Sequence, residues 1–358
     1  MTRPAALFLL APTLVALSVT GQAIAQPQLS EAERRAMESR VDALKAELDS
    51  LQRQLATDGA SSDRVALPGG ADAPASEEIV AEAAGEPIED TVEERRALEK
   101  ESESNPLAIT THRRNYLLPI SYNSSPNDSS FRGDGDDTEM DNTEVKFQFS
   151  AKFNIADDLI FGNGDLYFAY TQKSWWQAYN GDESSPFRET NYEPEVFLDF
   201  QNDTTIWGWT NINNRISLNH QSNGRSSPLS RSWNRVIATS AWVNDDWALA
   251  VSPHWRIPED DNDDDNPDID DYVGYGDITV AHQMFDTHEA SLMLRGNPSK
   301  ENYGSQLDYS WPLFGKVRGH VQYYYGYGES LIDYDERTNR LGIGFSINPL
   351  FSTGTFNP

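Results

Sequence analysis

From Asn115 onward, apolar and polar positions alternate along the chain with a period of two. Val145, Phe147, Phe149, Ala151 and Phe153 form a wholly apolar face, while Lys146, Gln148, Ser150, Lys152 and Asn154 line the other. Trp247, Leu249, Val251, Pro253 and Trp255 alternate in the same way with Ala248, Ala250, Ser252, His254 and Arg256. Leu341, Ile343, Phe345 and Ile347 alternate with Gly342, Gly344, Ser346 and Asn348. Successive side chains of a strand point to opposite faces, so each segment predicts a strand with one apolar side. Twelve segments qualify, near 115–123, 144–154, 165–176, 192–200, 206–222, 234–243, 247–256, 272–282, 289–295, 306–311, 317–327 and 340–348.

An even set of such strands predicts a transmembrane β-barrel, apolar outward and polar inward. A soluble β-sandwich uses the same alternation with its apolar faces turned in. The connections separate the two. Those after odd-numbered strands are long (124–143, 177–191, 223–233, 257–271, 296–305, 328–339) and those after even-numbered strands mostly short, with 201–205 and 244–246 the clearest. Barrels keep long loops on one side of the membrane and tight turns on the other, whereas a sandwich gives no reason to. Trp175-Trp176, Trp207, Trp233, Trp255 and Tyr323 to Tyr325 near strand ends fit interfacial girdles. The expected fold is all-β, a twelve-stranded antiparallel transmembrane barrel over 113–358.

Upstream the period changes. Met37, Val41, Leu44, Leu48, Leu51 and Leu55 alternate spacings of four and three, so 26–57 predicts a coiled-coil helix that needs a partner, whose identity the sequence leaves open. Residues 58–112, rich in Ala, Glu, Pro and Gly, read as an acidic disordered linker with a brief helical piece around Glu93 to Lys100. A basic start, the apolar run Ala5 to Val19 and small residues before the end of Ala25 predict a signal peptide over 1–25, so the mature chain is exported, with the coiled coil in the periplasm.

Composition narrows the chemistry. Lys and Arg number 28 against 57 Asp and Glu, a formal charge of −29, which disfavours nucleic acid as a partner. The acid surplus fits divalent cations as well as a solvated surface. There is no cysteine, hence neither a disulfide nor thiolate chemistry.

One polar group falls on the apolar side. Ile206, Gly208, Thr210, Ile212, Asn214, Ile216, Leu218, His220 and Ser222 share the more aliphatic face of the fifth predicted strand, at whose outer end His220 and Ser222 stand. Polar side chains facing lipid ask for a reason. Asn234 opens the next strand, where a hairpin brings it back beside His220. Its amide can accept from one imidazole nitrogen while the other takes the Ser222 proton. A nucleophile aimed at the bilayer has the lipid ester as its substrate. The plainer reading makes these residues headgroup-level anchors.

The stretches Asn219-His220-Gln221-Ser222-Asn223-Gly224-Arg225 and Ser230-Arg231-Ser232-Trp233-Asn234-Arg235 resemble the signature of outer membrane phospholipase A. So do Tyr170 to Gln177, Glu183 to Pro194, Asp265-Asn266-Pro267-Asp268-Ile269 and Gly326 to Tyr334, and the resemblance spans about Asn115 to Phe351. It implies that Ser222 is the nucleophile, His220 the base, Asn234 its orienter and the Gly224 N–H an oxyanion-hole donor. It also implies a calcium-dependent homodimer, in which the Arg225 carbonyl and Ser230 hydroxyl of one subunit bind Ca²⁺ with Ser184 of the other. Gln172 resembles a polar residue of the lipid-embedded dimer interface. The activity implied is hydrolysis of phospholipid and lysophospholipid acyl esters in the outer leaflet of the bacterial outer membrane, switched on by dimerisation.

The chain departs from that pattern in places. Ser227 stands where family members can carry an Asp of a second calcium site. Asp265 matches that site when aligned on Asn266-Pro267, whereas an ungapped count from His220 gives Asn262. The acidic run Glu259 to Asp271 lacks the Gly of a Ca-binding EF-hand loop and reads mostly as a solvated loop. Phe351, expected as the C-terminal aromatic of the barrel, is followed by seven more residues. Two further readings are a silent structural barrel tethered by the coiled coil, and a pore lined by Lys146, Gln148, Lys152 and Arg215, although twelve strands leave little space once filled.

Overall fold

The computed structural model describes residues 88, 92, 95–97, 109–129, 139–160, 162–260, 264–285, 287–353, 355 and 356. The expected signal peptide and coiled coil lie outside these residues. Twelve antiparallel strands form a closed sheet: β2 (Asn115–Asn123), β3 (Thr143–Ala156), β4 (Asp165–Trp176), β5 (Phe187–Ile206), β6 (Trp209–Ser222), β7 (Ser232–Asn244), β8 (Trp247–Ile257), β9 (Gly276–Met284), β10 (His288–Asn297), β11 (Asn302–Phe314), β12 (Val317–Gly326) and β13 (Thr338–Ile347). Each pairs with its sequence neighbour, and β13 closes on β2, with Ile343 opposite Ile120. A two-residue strand, β1 (Thr110–Thr111), adds to β3.

The alternation sorts the side chains as expected. Lys146, Gln148, Ser150 and Lys152 are buried inside and Phe149 is exposed outside. The interior is filled by paired charges. Lys146 Nζ bonds Glu329 Oε1 at 2.8 Å, Arg215 holds Asp199 at 3.0 Å, Arg114 holds Glu289 at 2.9 Å, and Arg340 joins Glu144 at 2.6 Å and Glu329 at 2.9 Å. Buried charges need such partners, and here they occupy the space a pore would use.

Several expectations change. The span 272–282 does not begin as strand, because Ile269–Val273 forms a short helix, α1, whose Ile269 and Val273 pack with Trp233, Leu331 and Tyr334 beneath the long loops. The connection expected over 296–305 shrinks to 298–301, since β10 and β11 run on to Asn297 and Asn302. The β5–β6 turn is Trp207-Gly208 rather than 201–205, with φ of 53° and 82°. A register shift between Asn211 and Asn213 breaks the alternation and buries Ile212. Of the aromatics read as girdles, Trp175, Trp233 and Tyr324 take the inward parity and are buried, while Trp207 and Trp255 are exposed.

Phe351 does not end a lipid-facing strand. Asn348, at φ 68°, turns the chain inward after β13. Leu350, Phe351 and Phe356 then pack with Ile88 and Val92 against Ile212, Ala241, Val243, Ala248, Ala250 and Ala281 at the short-turn end of the lumen. The alanines make the room that these larger side chains fill. Five described residues inside the span expected as linker (Ile88, Val92 and 95–97) are helical, and Arg96 bonds the backbone oxygens of Asn202 and Ile212.

Candidate active site

β6 ends at the long-loop side with Asn219, His220, Gln221 and Ser222, and its parity divides them. Asn219 is buried and bonds Glu193 inside the barrel, and Gln221 lines a cavity in the lumen with Lys173, Glu193, Trp233 and Arg235. His220 and Ser222 face the other way, in line with exposed Ile216 and Leu218. Ser222 lies opposite Tyr192 of β5, itself exposed on the outer wall.

The β6–β7 register sets His220 against Asn234, and Nδ1 of the imidazole stands 2.9 Å from the Asn234 Oδ1. With that oxygen accepting, Nδ1 carries the hydrogen and Nε2 is left as the base. Ser222, two residues on, has its hydroxyl on the same face, although no hydrogen bond joins it to His220 among the described residues. Such bonds tighten when substrate binds.

The inward partners lock this register. Trp233 donates its Nε1–H to the Gln221 Oε1 at 2.9 Å. Arg235 lies over the Trp233 ring at 4.1 Å and bonds the Asn219 Oδ1 at 2.7 Å. Every contact that fixes Gln221 and Trp233 inside also fixes the alternate residues, His220 and Asn234, outside.

Gly224 follows with φ 65°, a left-handed conformation that a side chain strains, and an added Cβ would meet Tyr192 Cε2 at 3.2 Å. Arg225 is half-buried, its Nη1 donating to the Arg188 carbonyl at 3.3 Å. Desolvation holds its guanidinium below the ordinary arginine value, with Glu189 pulling the other way.

Of the residues expected to bind metal, Ser230 and Asp265 come together, the serine hydroxyl donating to the Asp265 carboxylate at 2.5 Å. Asn266 anchors the segment by accepting from the Ser232 amide at 2.9 Å. Ser184 sits in the β4–β5 loop at φ 61°, with its amide on the Gly181 carbonyl, and no hydrogen bond joins it to Ser230 among the described residues. Gln172 lies on the outer face of β4, accepting from Tyr170 and donating to Ser174, both at 3.2 Å.

A sequence model of the phospholipase A1 family matches residues 92–347. The chain belongs to that family. It is a phospholipase A1, a carboxylic ester hydrolase built on a barrel integral to the bacterial outer membrane. Phospholipase A1 of Klebsiella pneumoniae is 41% identical over 249 residues, covering 69% of this chain and 85% of that one. The enzyme of Escherichia coli K12 is 44% identical over 210 residues, 58% of this chain and 71% of that one. Among solved structures, the outer membrane phospholipase dimer of Salmonella typhi with bound calcium matches with a TM-score of 0.65 and 38% identity, covering 68% of this chain and 93% of that one. Outer membrane phospholipase A of E. coli gives 0.64 and 38%, with 68% of this chain and all of that one covered.

One partner of this phospholipase's candidate site escaped the sequence reading. Glu259 accepts from the Asn234 Nδ2 at 2.8 Å. Register was the available signal: Asn234 pairs with Ile257, and Glu259 lies two positions beyond it. In the sequence, Glu259 is merely the first acid of an acidic run.

Proposed function

We propose that Ser222, His220 and Asn234 perform the hydrolysis, on the outer wall of the barrel at its long-loop end. The 2.9 Å pairing of His220 with Asn234, on the face shared with Ser222, carries this reading. The Ser222 Oγ attacks the ester carbonyl carbon as its proton passes to the His220 Nε2. The Gly224 N–H, left without a hydrogen-bond partner among the described residues, donates to the oxyanion. Collapse breaks the ester bond, and His220 returns the proton to the departing alkoxide. Water then attacks the acyl-serine, giving up a proton to His220, and the freed Ser222 takes that proton as the fatty acid leaves. Asn234 orients the ring without placing a charge against hydrocarbon.

The oxygen donors near this site suit a hard cation. The Arg225 carbonyl and the Ser230 hydroxyl would hold calcium with Ser184 supplied by a second subunit, and the Asp265 carboxylate, which accepts from the Ser230 hydroxyl, would belong to the second calcium site. An ion held by these residues would supply positive charge to the site. The calcium-bound dimer of the S. typhi relative supports this part of the reading. Gln172 faces the bilayer where a second copy would lie, so a pair of such amides can bond across the interface, at about 0.6 kcal/mol. The substrates are outer-leaflet phospholipids and lysophospholipids, cleaved at either acyl position. The test is fatty-acid release from phospholipid with Ca²⁺ or with chelator, comparing wild type with Ser222→Ala; equal release by both would falsify the assignment. A pore-forming barrel is disfavoured by the paired charges in the lumen, and a silent one by the presence of His220, Ser222 and Asn234 together.

A further inference from the structure

Asparagine is an ambiguous orienter. Its two amide ends have nearly the same shape, and only one of them serves. With Oδ1 toward His220, Nδ1 carries the hydrogen and Nε2 can accept the Ser222 proton. Flipped, the amide would donate to Nδ1, drive the hydrogen to Nε2 and leave the serine without a base. Aspartate has no such problem, because both of its oxygens accept.

Across β7 and β8, the side of Asn234 turned away from His220 meets Glu259. Ile257 lies in register with Asn234, Pro258 follows, and the half-buried Glu259 places its Oε1 2.8 Å from the Asn234 Nδ2. A carboxylate can only accept, so it takes the Nδ2 end and refuses the Oδ1 end. Ser222, His220, Asn234 and Glu259 thus step from β6 across β7 to the loop that leaves β8, along the outer rim.

Resting on the triad assignment above, we propose that Glu259 is a positioning residue, which fixes the amide of Asn234 and through it the tautomer of His220. The arrangement keeps the negative charge one residue back from the ring, in the loop that leaves β8. It retains the orienting power of a carboxylate without setting that carboxylate beside the acyl chains.

The test measures kcat and KM on phospholipid in mixed micelles with saturating Ca²⁺, for Glu259→Ala and Glu259→Gln, each in wild type and in Asn234→Asp, with Ser222→Ala alongside. In wild type, Glu259→Ala is expected to lower kcat about 3–10-fold, the worth of one hydrogen bond, with little change in KM. Glu259→Gln falls between, since its amide can present either end. In Asn234→Asp nothing needs orienting, and the two carboxylates repel. There Glu259→Gln is expected to raise kcat, and this inversion of sign is what a purely structural role would not produce. Wild-type kcat in Glu259→Ala beside an inactive Ser222→Ala overturns the positioning role and leaves the triad standing. An equal loss from Glu259→Gln on both backgrounds also overturns it, placing the carboxylate in loop structure. Activity retained in Ser222→Ala would instead sink the triad on which the proposal rests.

Discussion

His220 and Asn234 face each other across the β6–β7 pair, their side chains 2.9 Å apart on the outer wall. Trp233 and Gln221 hold the same register from inside at 2.9 Å. Loss of either bond therefore acts on the same imidazole by a different route. Asn234→Ala is expected to lower kcat about 10-fold at unchanged calcium dependence. Trp233→Phe removes the inner bond and keeps the ring, and should cost less than Asn234→Ala. Steady-state kinetics of the two variants check the order, and a larger loss from Trp233→Phe would place control of the site inside the barrel.

Ser222→Ala should abolish turnover, by more than about 10³-fold, with the barrel intact. Fatty-acid release and far-ultraviolet circular dichroism on the same preparation separate lost chemistry from lost fold.

Gly224→Ala places a Cβ at a left-handed φ and 3.2 Å from the Tyr192 ring. A left-handed residue with a side chain costs roughly 1–2 kcal/mol, so a kcat loss of about 5–30-fold is expected where the amide no longer holds its position. A variant with wild-type kcat would show that the loop accepts the Cβ without moving the amide.

Chelation of divalent ions should suppress hydrolysis, with Ca²⁺ restoring it. Asp265→Asn and Ser230→Ala are each expected to raise the Ca²⁺ concentration needed for half-activity, by about 10-fold or less. Ser184→Ala should do so only where two subunits meet. Mixing Ser184→Ala with Ser222→Ala tests this, because one mixed dimer then retains a single complete site. No difference between the mixture and the separate variants would show that Ser184 does not act across the interface.

Truncation after Asn348 removes Leu350, Phe351 and Phe356 from the plug at the short-turn end. Ion conductance in planar bilayers should rise relative to the full chain. If it does not, the interior salt bridges close the lumen unaided.

The strands were legible because their period of two persists wherever one side meets lipid and the other meets polar groups, as Phe149 and Lys146 do. The candidate site stood out for the same reason: His220 and Ser222 are polar where parity demands apolar. Legibility failed where an apolar residue had another task. Trp233 and Trp175 look like girdle residues but brace the interior. Tyr272 and Val273 continue an alternating pattern yet belong to α1, which covers the lumen. Leu350 to Phe356 look like a tail, because nothing local reveals that the small alanines of β7, β8 and β9 leave a space for them. Glu259 was hidden by its acidic neighbours, and only the pairing of β7 with β8 singles it out.

Gln221 points into the lumen, and the residues on either side of it point out. With the proposed site on the outer wall, a lipid meets this enzyme by sliding in the plane of the membrane and not by threading the barrel. The concentration that governs its rate is therefore a surface fraction, the share of neighbouring molecules beside β6 and β7 that carry a cleavable ester. Diluting vesicles in buffer leaves that fraction untouched, and diluting the substrate with inert lipid lowers it in proportion.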